Sequence, residues 1–233
     1  MRANLHLPMN EVGTDYVVAD IHGEYDRLMW KLGKIGFNRE VDRLLCTGDL
    51  CDRGPNSYEC AMLLWEPWMY STRGNHEQMC VDAYRYPFMR YDFLANGGEW
   101  FTELTNQQQD EVVELFDGLP LTIYSTVKTD SGLSNFLLVH ARVPKDYGWA
   151  RELDSDTLYK DVREDYIQDA IWNRHMQSSL FTDTVEGYDV VLCGHTVVSS
   201  PKRLKNYLNL DVGVVFSPEK EFPIYNTKTK EIL

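Results

Sequence analysis

The stretch Arg43-Leu44-Leu45-Cys46-Thr47-Gly48-Asp49-Leu50-Cys51-Asp52-Arg53-Gly54-Pro55 passes from a short apolar run into a polar loop. Pro55 then opens a helix that carries Ala61, Met62, Leu64 and Trp65. The same strand, loop and helix recur on either side of it. Upstream, Tyr16 to Ala19 is an apolar run ending at Asp20, and Leu28 and Leu32 fall at helical spacing within Glu24 to Leu32. Downstream, Trp68 to Ser71 reads as a strand, Thr72 to Asn75 as a turn, and His76 as the start of a helix. A β-α-β-α-β succession predicts an α/β fold with a mostly parallel sheet and right-handed crossovers. Ligands of such sheets sit beyond the carboxyl ends of the strands, so the three polar loops are expected to converge.

The rest of the chain adds strands. Gln107 to Phe116 reads as a helix, and Leu121 to Val127, Phe136 to Val139, Val190 to Leu192, Tyr207 to Leu210 and Val214 to Phe216 read as strands. Arg142 to Gln168 is polar and heavily charged, which fits an insertion of loop and helix over one face or, more plainly, a solvated surface. With 233 residues, 43% of them apolar, and no repeat or linker, one domain spanning 1–233 is expected. The net charge of −13 repels nucleic acid, so any phosphate site must be local. Five cysteines, an odd number without a C-x-x-C pair, argue for a reducing compartment, and the cytoplasm is the expected location. No apolar run is long enough for a membrane span, so no membrane partner is expected.

Chemistry concentrates in the loops. In Gly48 to Gly54, the carboxylates Asp49 and Asp52, an arginine and flanking glycines make little sense as packing. Arg73-Gly74-Asn75-His76-Glu77 puts a cation, an amide and an imidazole on one turn that needs only the glycine and asparagine. Asp20-Ile21-His22 is weak alone, since either polar residue serves equally well as a helix cap. His140 and His195 each follow an apolar run, where a lone histidine is usually a satisfied structural group. Their conjunction with the other loops is what points to a metal centre. Oxygen and imidazole donors without thiolate suit manganese, iron or zinc.

These blocks, DIHG from Asp20, GDLCDRG from Gly48, RGNHE from Arg73, LLVHA from Leu137 and CGHT from Cys193, resemble the calcineurin-like metallophosphoesterases. The order and spelling are most similar to the PPP serine/threonine phosphatase branch and its compact phage lambda-type members, whose Asn96-Gly97-Gly98 and Trp172-Asn173-Arg174 are also present. The resemblance implies a β-sandwich of two mixed sheets flanked by helices, in a bacterial or phage-infected cell. It implies two divalent transition metal ions, most readily Mn2+, with Fe or Zn as alternatives: one held by Asp20, His22 and Asp49, the other by Asn75, His140 and His195, with Asp49 shared. A hydroxide between two such ions attacks phosphorus directly and in line, without a phosphoenzyme. By the same resemblance His76 is the general acid, oriented and kept protonated by Asp52, while Arg53 and Arg174 clamp the phosphate. Arg73 either joins that clamp or braces its loop. Phosphorylated proteins or peptides are the implied substrates, at serine or threonine and also at tyrosine, with segments 80–96 and 142–170 lining the groove.

The chain departs from the pattern at two places. Arg142 follows Ala141 where a small or acidic residue is usual, and either charges the pocket or faces water. Asp211-Val212-Gly213 replaces the usual Asp-Thr-Gly, leaving Asp211 to orient a ligand. Cys51 reads as a small buried side chain. The rival reading is a dinucleoside polyphosphate hydrolase or phosphodiesterase on the same fold, since fold does not decide substrate. Against it stand Val197, where many such enzymes have a second histidine, and Arg73, where the symmetrical tetraphosphatases have an apolar residue. A phosphoprotein-binding pseudoenzyme is disfavoured because every ligand and His76 are present.

Overall fold

The computed structural model describes residues 3–144, 164–174 and 183–233. Among these, ten strands form two mixed sheets: β1 (Asn4–His6), β2 (Asp15–Val18), β3 (Arg43–Cys46), β4 (Met69–Ser71), β5 (Thr122–Thr129), β6 (Gly132–Val139), β7 (Val190–Cys193), β8 (Lys202–Leu204), β9 (Tyr207–Asn209) and β10 (Tyr225–Asn226). One sheet runs β1-β5-β6-β7-β9-β8 and the other β10-β2-β3-β4. The expected parallel core is the second sheet, where β2 pairs with β3 and β3 with β4 in parallel. Helices α1 (Tyr25–Lys34), α2 (Ser57–Met62), α3 (Asn75–Arg85), α4 (Arg90–Ala95) and α5 (Asn106–Gly118) precede β5, and α6 (Glu164–Trp172) precedes β7.

The strands alternate sides, and this sorts the apolar residues into layers. Val17 and Leu45 of one sheet meet Phe136, Leu138 and Leu192 of the other in a buried core between the sheets. Their chain neighbours Val18, Leu44 and Cys46 face the opposite way, into a core shared with Leu28 of α1, Cys60 of α2, Val81 of α3 and Phe116 of α5. On the far face of the six-stranded sheet, Leu137, Val139 and Val191 pack against Tyr166, Ile167, Ala170 and Ile171 of α6. The result is a sheet-on-sheet sandwich with helices outside both layers, as expected. The five loops bearing the motifs leave the carboxyl ends of β2, β3, β4, β6 and β7, so both sheets deliver polar residues to one edge.

Two sequence expectations change here. Val214–Phe216 is a turn of 3-10 helix and not a strand, because Gly213 adopts φ +68° and the Phe216 N–H closes onto the Gly213 carbonyl. Of the charged segment 142–168, residues 145–163 lie outside the described residues; the segment ends within α6, whose apolar side covers the sheet.

Candidate active site

The loops are shaped by backbone that most residues avoid. His22, Asp49, Asp52, Arg53 and His195 all have positive φ, between 48° and 73°. Such conformations cost of the order of 1–3 kcal/mol each and persist only where surroundings enforce them. Glu77 is the chief enforcer: its carboxylate accepts the N–H groups of Asp49 (2.9 Å), Leu50 (2.7 Å) and Gly74 (2.8 Å), tying the β3 loop to the β4 turn. Two glycines make room for carboxylates. A Cβ on Gly74 would sit 2.1 Å from Asp49 Oδ1, and one on Gly194 would sit 1.9 Å from Asp20 Oδ1.

Two donor groups result, His22/Asp49/His76 and Asp49/His140/His195, each with its ligand atoms within 4.8 Å of one another. Their hydrogen bonds indicate which lone pairs face inward. His140 Nδ1 lies 2.9 Å from the Thr47 carbonyl, which only an N–H can satisfy, so Nε2 carries the lone pair. That Nε2 faces Asn75 Oδ1 at 2.9 Å, His195 Nδ1 at 3.1 Å and Asp49 Oδ2 at 3.4 Å. An imidazole lone pair and two acceptor oxygens aimed at one another this closely suit a cation among them. His22 repeats the arrangement: Nδ1 donates to the Cys51 carbonyl at 2.9 Å, and Nε2 faces Asp49 Oδ2 at 3.7 Å. Arg53 Nη1 donates to that Nε2 at 2.6 Å, so a guanidinium stands where the first metal's charge is expected. The donors therefore suit divalent metal, and all six sequence-predicted ligands gather here. Asp20 is the loosest member: it lines the pocket, but its oxygens accept the His195 N–H at 3.0 and 3.1 Å and it belongs to neither donor group.

Burial sets the electrostatics. It raises the carboxyls of Asp20, Asp49 and Asp211, with Asp211 and Asp49 adding repulsion on Asp20 and Glu77 on Asp49. It lowers His22 and His140, and brings His195 down to about 3. His76 Nδ1 lies 2.6 Å from Asp52 Oδ2, and Trp100 Nε1 donates to Asp52 Oδ1, also at 2.6 Å. Desolvation pushes Asp52 up to about 7 and His76 down to about 3, the latter helped by Arg53 and Arg174. Both shifts favour the neutral forms of this pair over the expected imidazolium–carboxylate pair. In the neutral form the proton between Asp52 Oδ2 and His76 Nδ1 sits on the oxygen and the imidazole proton on Nε2.

The pocket has a cavity of about 240 Å³. Asp20, His22, Asp49, Asn75, His76 and His195 line it together with Arg53 and Arg174, while Asn96 and Asp211, flagged by motif, lie there too. Segment 80–96 thus reaches the pocket through Asn96. Trp172, Val197 and Phe216 also face it, and Trp100 and Glu77 act from behind. Nothing in the sequence assigned those roles, although Trp172 and Glu77 fall within the quoted blocks.

Two arginines do not serve the pocket. Arg73 is buried and donates to Gln78 Oε1 at 2.8 Å and the Phe116 carbonyl at 2.5 Å, with Asp117 at 3.3 Å. It braces the β4 turn against α5, so the clamp reading of Arg73 falls. We expect Arg73→Ala to destabilise the fold by about 2–4 kcal/mol, by leaving buried partners unpaired. Its signature is a lowered urea midpoint with turnover per folded molecule retained within about threefold; a large rise in KM would restore the clamp. Arg142 neither charges the pocket nor faces water: it is buried and paired with Asp183.

Comparison with known proteins places this geometry. The profile of the calcineurin-like phosphoesterases matches residues 16–199. Serine/threonine-protein phosphatase 1 of Salmonella typhimurium is 33% identical over 86% of this chain and 87% of its own. An asymmetrical bis(5'-nucleosyl)-tetraphosphatase of Halalkalibacterium halodurans is 28% identical over 88% of this chain and 91% of its own. Among solved structures, one provisionally described as a diadenosine tetraphosphatase superposes with a TM-score of 0.68 at 18% identity, covering 100% of this chain and 97% of the other.

Proposed function

This chain belongs to the calcineurin-like phosphoesterase family, and we propose that it removes phosphate from phosphorylated protein side chains, using two divalent transition metal ions with manganese foremost. It is a phosphoester hydrolase. The observation that carries the substrate reading is a small pocket whose floor holds two donor groups sharing Asp49 and whose lining includes Arg53 and Arg174. Paired divalent ions, when bound, make water acidic enough to supply a nucleophile near neutral pH.

The chain's own residues supply the rest. Arg53 and Arg174 present planar cationic forks that match the oxygens of a dianionic phosphoryl group. His76 serves as the acid: its Nδ1 is held by Asp52 at 2.6 Å, and its Nε2, 3.9 Å from Asp49 Oδ2, gives a proton to the leaving oxygen. The Trp100 bond fixes which Asp52 oxygen holds Nδ1. A cavity of about 240 Å³ receives a phosphoryl group and one side chain, and is below the roughly 300–1,000 Å³ of common small-ligand pockets. That size favours a monoester over a dinucleotide, as does Val197 where a second histidine would otherwise reach the metals. The five buried, unpaired cysteines fit a cytoplasmic setting.

The test is a turnover panel of phosphopeptides, small aryl phosphates and diadenosine tetraphosphate, each with manganese, iron or zinc. Phosphopeptides with manganese are expected to turn over fastest. Rapid cleavage of the dinucleotide with idle phosphopeptides would reverse the assignment. Arg174→Ala is expected to raise KM and lower kcat, each by about tenfold or more, because the guanidinium contacts phosphate both before and during bond breaking.

A further inference from the structure

Among the described residues, Trp172, Val197 and Phe216 are the apolar side chains that line the pocket, and they are 38%, 49% and 60% exposed. Exposed aromatic surface at the mouth of a polar site is a ligand surface more readily than a packing defect. Trp172, at the end of α6, meets His195 in a T-shaped contact, with centroids 6.4 Å apart at 86°. Phe216 lies beneath the Arg53 guanidinium, 5.3 Å from ring centre to carbon, and Arg53 in turn reaches His22. Gly213 joins Phe216 to Val197: a Cβ placed there would meet Val197 Cγ1 at 2.8 Å and Phe216 Cδ2 at 3.2 Å. Val197 and Phe216 therefore form one apolar ledge, and Trp172 lines the same pocket.

We propose that this rim is a subsite for a planar aromatic leaving group, so that the enzyme selects phosphotyrosine over phosphoserine; the inference rests on the phosphomonoesterase reading above. A tyrosyl phosphate carries its phosphorus one ring further from the peptide backbone than a seryl phosphate does. With the phosphoryl group at the metal donors, the tyrosyl ring lies against this apolar rim, where aromatic contacts add to simple burial. A seryl phosphate at the same depth leaves the apolar rim uncovered or draws polar backbone against it, which is unfavourable without hydrogen-bond partners.

The experiment measures kcat/KM with manganese on two peptides that differ only in phosphotyrosine or phosphoserine, and on diadenosine tetraphosphate. The enzymes compared are the wild type, Phe216→Ala, Phe216→Trp and Trp172→Ala. Aryl esters are intrinsically the more reactive, so the readout is the change in the tyrosine-to-serine ratio on mutation. Phe216→Ala and Trp172→Ala are expected to lower that ratio by about five- to tenfold each, and Phe216→Trp to hold it. Equal losses on both peptides would mean that Phe216 only positions Arg53, and would overturn the subsite. So would a dinucleotide rate that depends on Phe216 more steeply than the phosphotyrosine rate. Turnover of both peptides with an unmoved ratio sinks this inference alone, whereas idle peptides in every variant sink the phosphomonoesterase reading with it.

Discussion

Replacing Asp49 by alanine is expected to abolish turnover, by more than about 10³-fold, and to remove bound metal at both positions. Asp49 is the one residue common to the two donor groups, and its Oδ2 stands 3.4 Å from His140 Nε2 and 3.7 Å from His22 Nε2. Losing an outer ligand such as His22 leaves one group intact; losing Asp49 leaves neither. The same charge governs stability. Asp20, Asp49 and Asp211 all have raised carboxyls, so ionising them destabilises the metal-free fold as pH climbs through those raised values, and a bound cation offsets that penalty. The buried histidines act in the opposite sense, being lowered, and withdraw stability as pH falls below their ordinary value near 6.5. Metal at a hundred times its Kd stabilises the native state by about 2.7 kcal/mol per site, or roughly 5–10 °C for a domain of this size. Wild-type protein should show that rise on adding manganese after chelation, and Asp49→Ala should not. A variant that kept two metals, or kept turning over, would show that the groups do not depend on a shared carboxylate.

What the sequence made legible depends on the range of the forces involved. Strands β2, β3 and β4 fall within a residue of their expected bounds because short apolar runs ending in glycine, aspartate or threonine leave few alternatives. The run Val214-Val215-Phe216 carries an equally strong strand signal and fails, because Gly213 in the left-handed region turns the chain before pairing can start. Strands β1, β8 and β10 escaped notice: each is three residues or fewer, and neither β1 nor β10 has a partner nearby in the chain. The ligands were legible as residue types in order. Their backbone was not, since nothing local announces positive φ at His22, Asp49 or His195. Long-range partners were equally hidden. Trp100 reaches Asp52 across 48 residues, and Arg142, charged and expected in water or in the pocket, is instead neutralised by Asp183.

His76→Asn is expected to cut kcat on a phosphoserine peptide by about 10²–10⁴-fold with little change in KM, because the imidazole acts only as the leaving oxygen gains charge. The loss should shrink to about tenfold or less on p-nitrophenyl phosphate, whose phenolate departs without a proton. Equal losses on both esters would remove His76 from the acid role. The protonation state of this pair adds a sharper test at Asp52. If the dyad is neutral, the state that the raised Asp52 and lowered His76 favour, the proton on Nε2 depends on a donor opposite Nδ1, and Oδ2–H would be that donor. In Asp52→Asn the amide N–H donates to Nδ1 while the amide oxygen still accepts from Trp100, so the productive tautomer survives even though the carboxylate is gone. Asp52→Asn should therefore retain at least about tenfold more activity than Asp52→Ala, with the basic limb of its pH profile flattened for want of a group titrating near 7. A fixed imidazolium–carboxylate pair makes the opposite demand: asparagine cannot hold the imidazolium, and the two variants would be equally impaired.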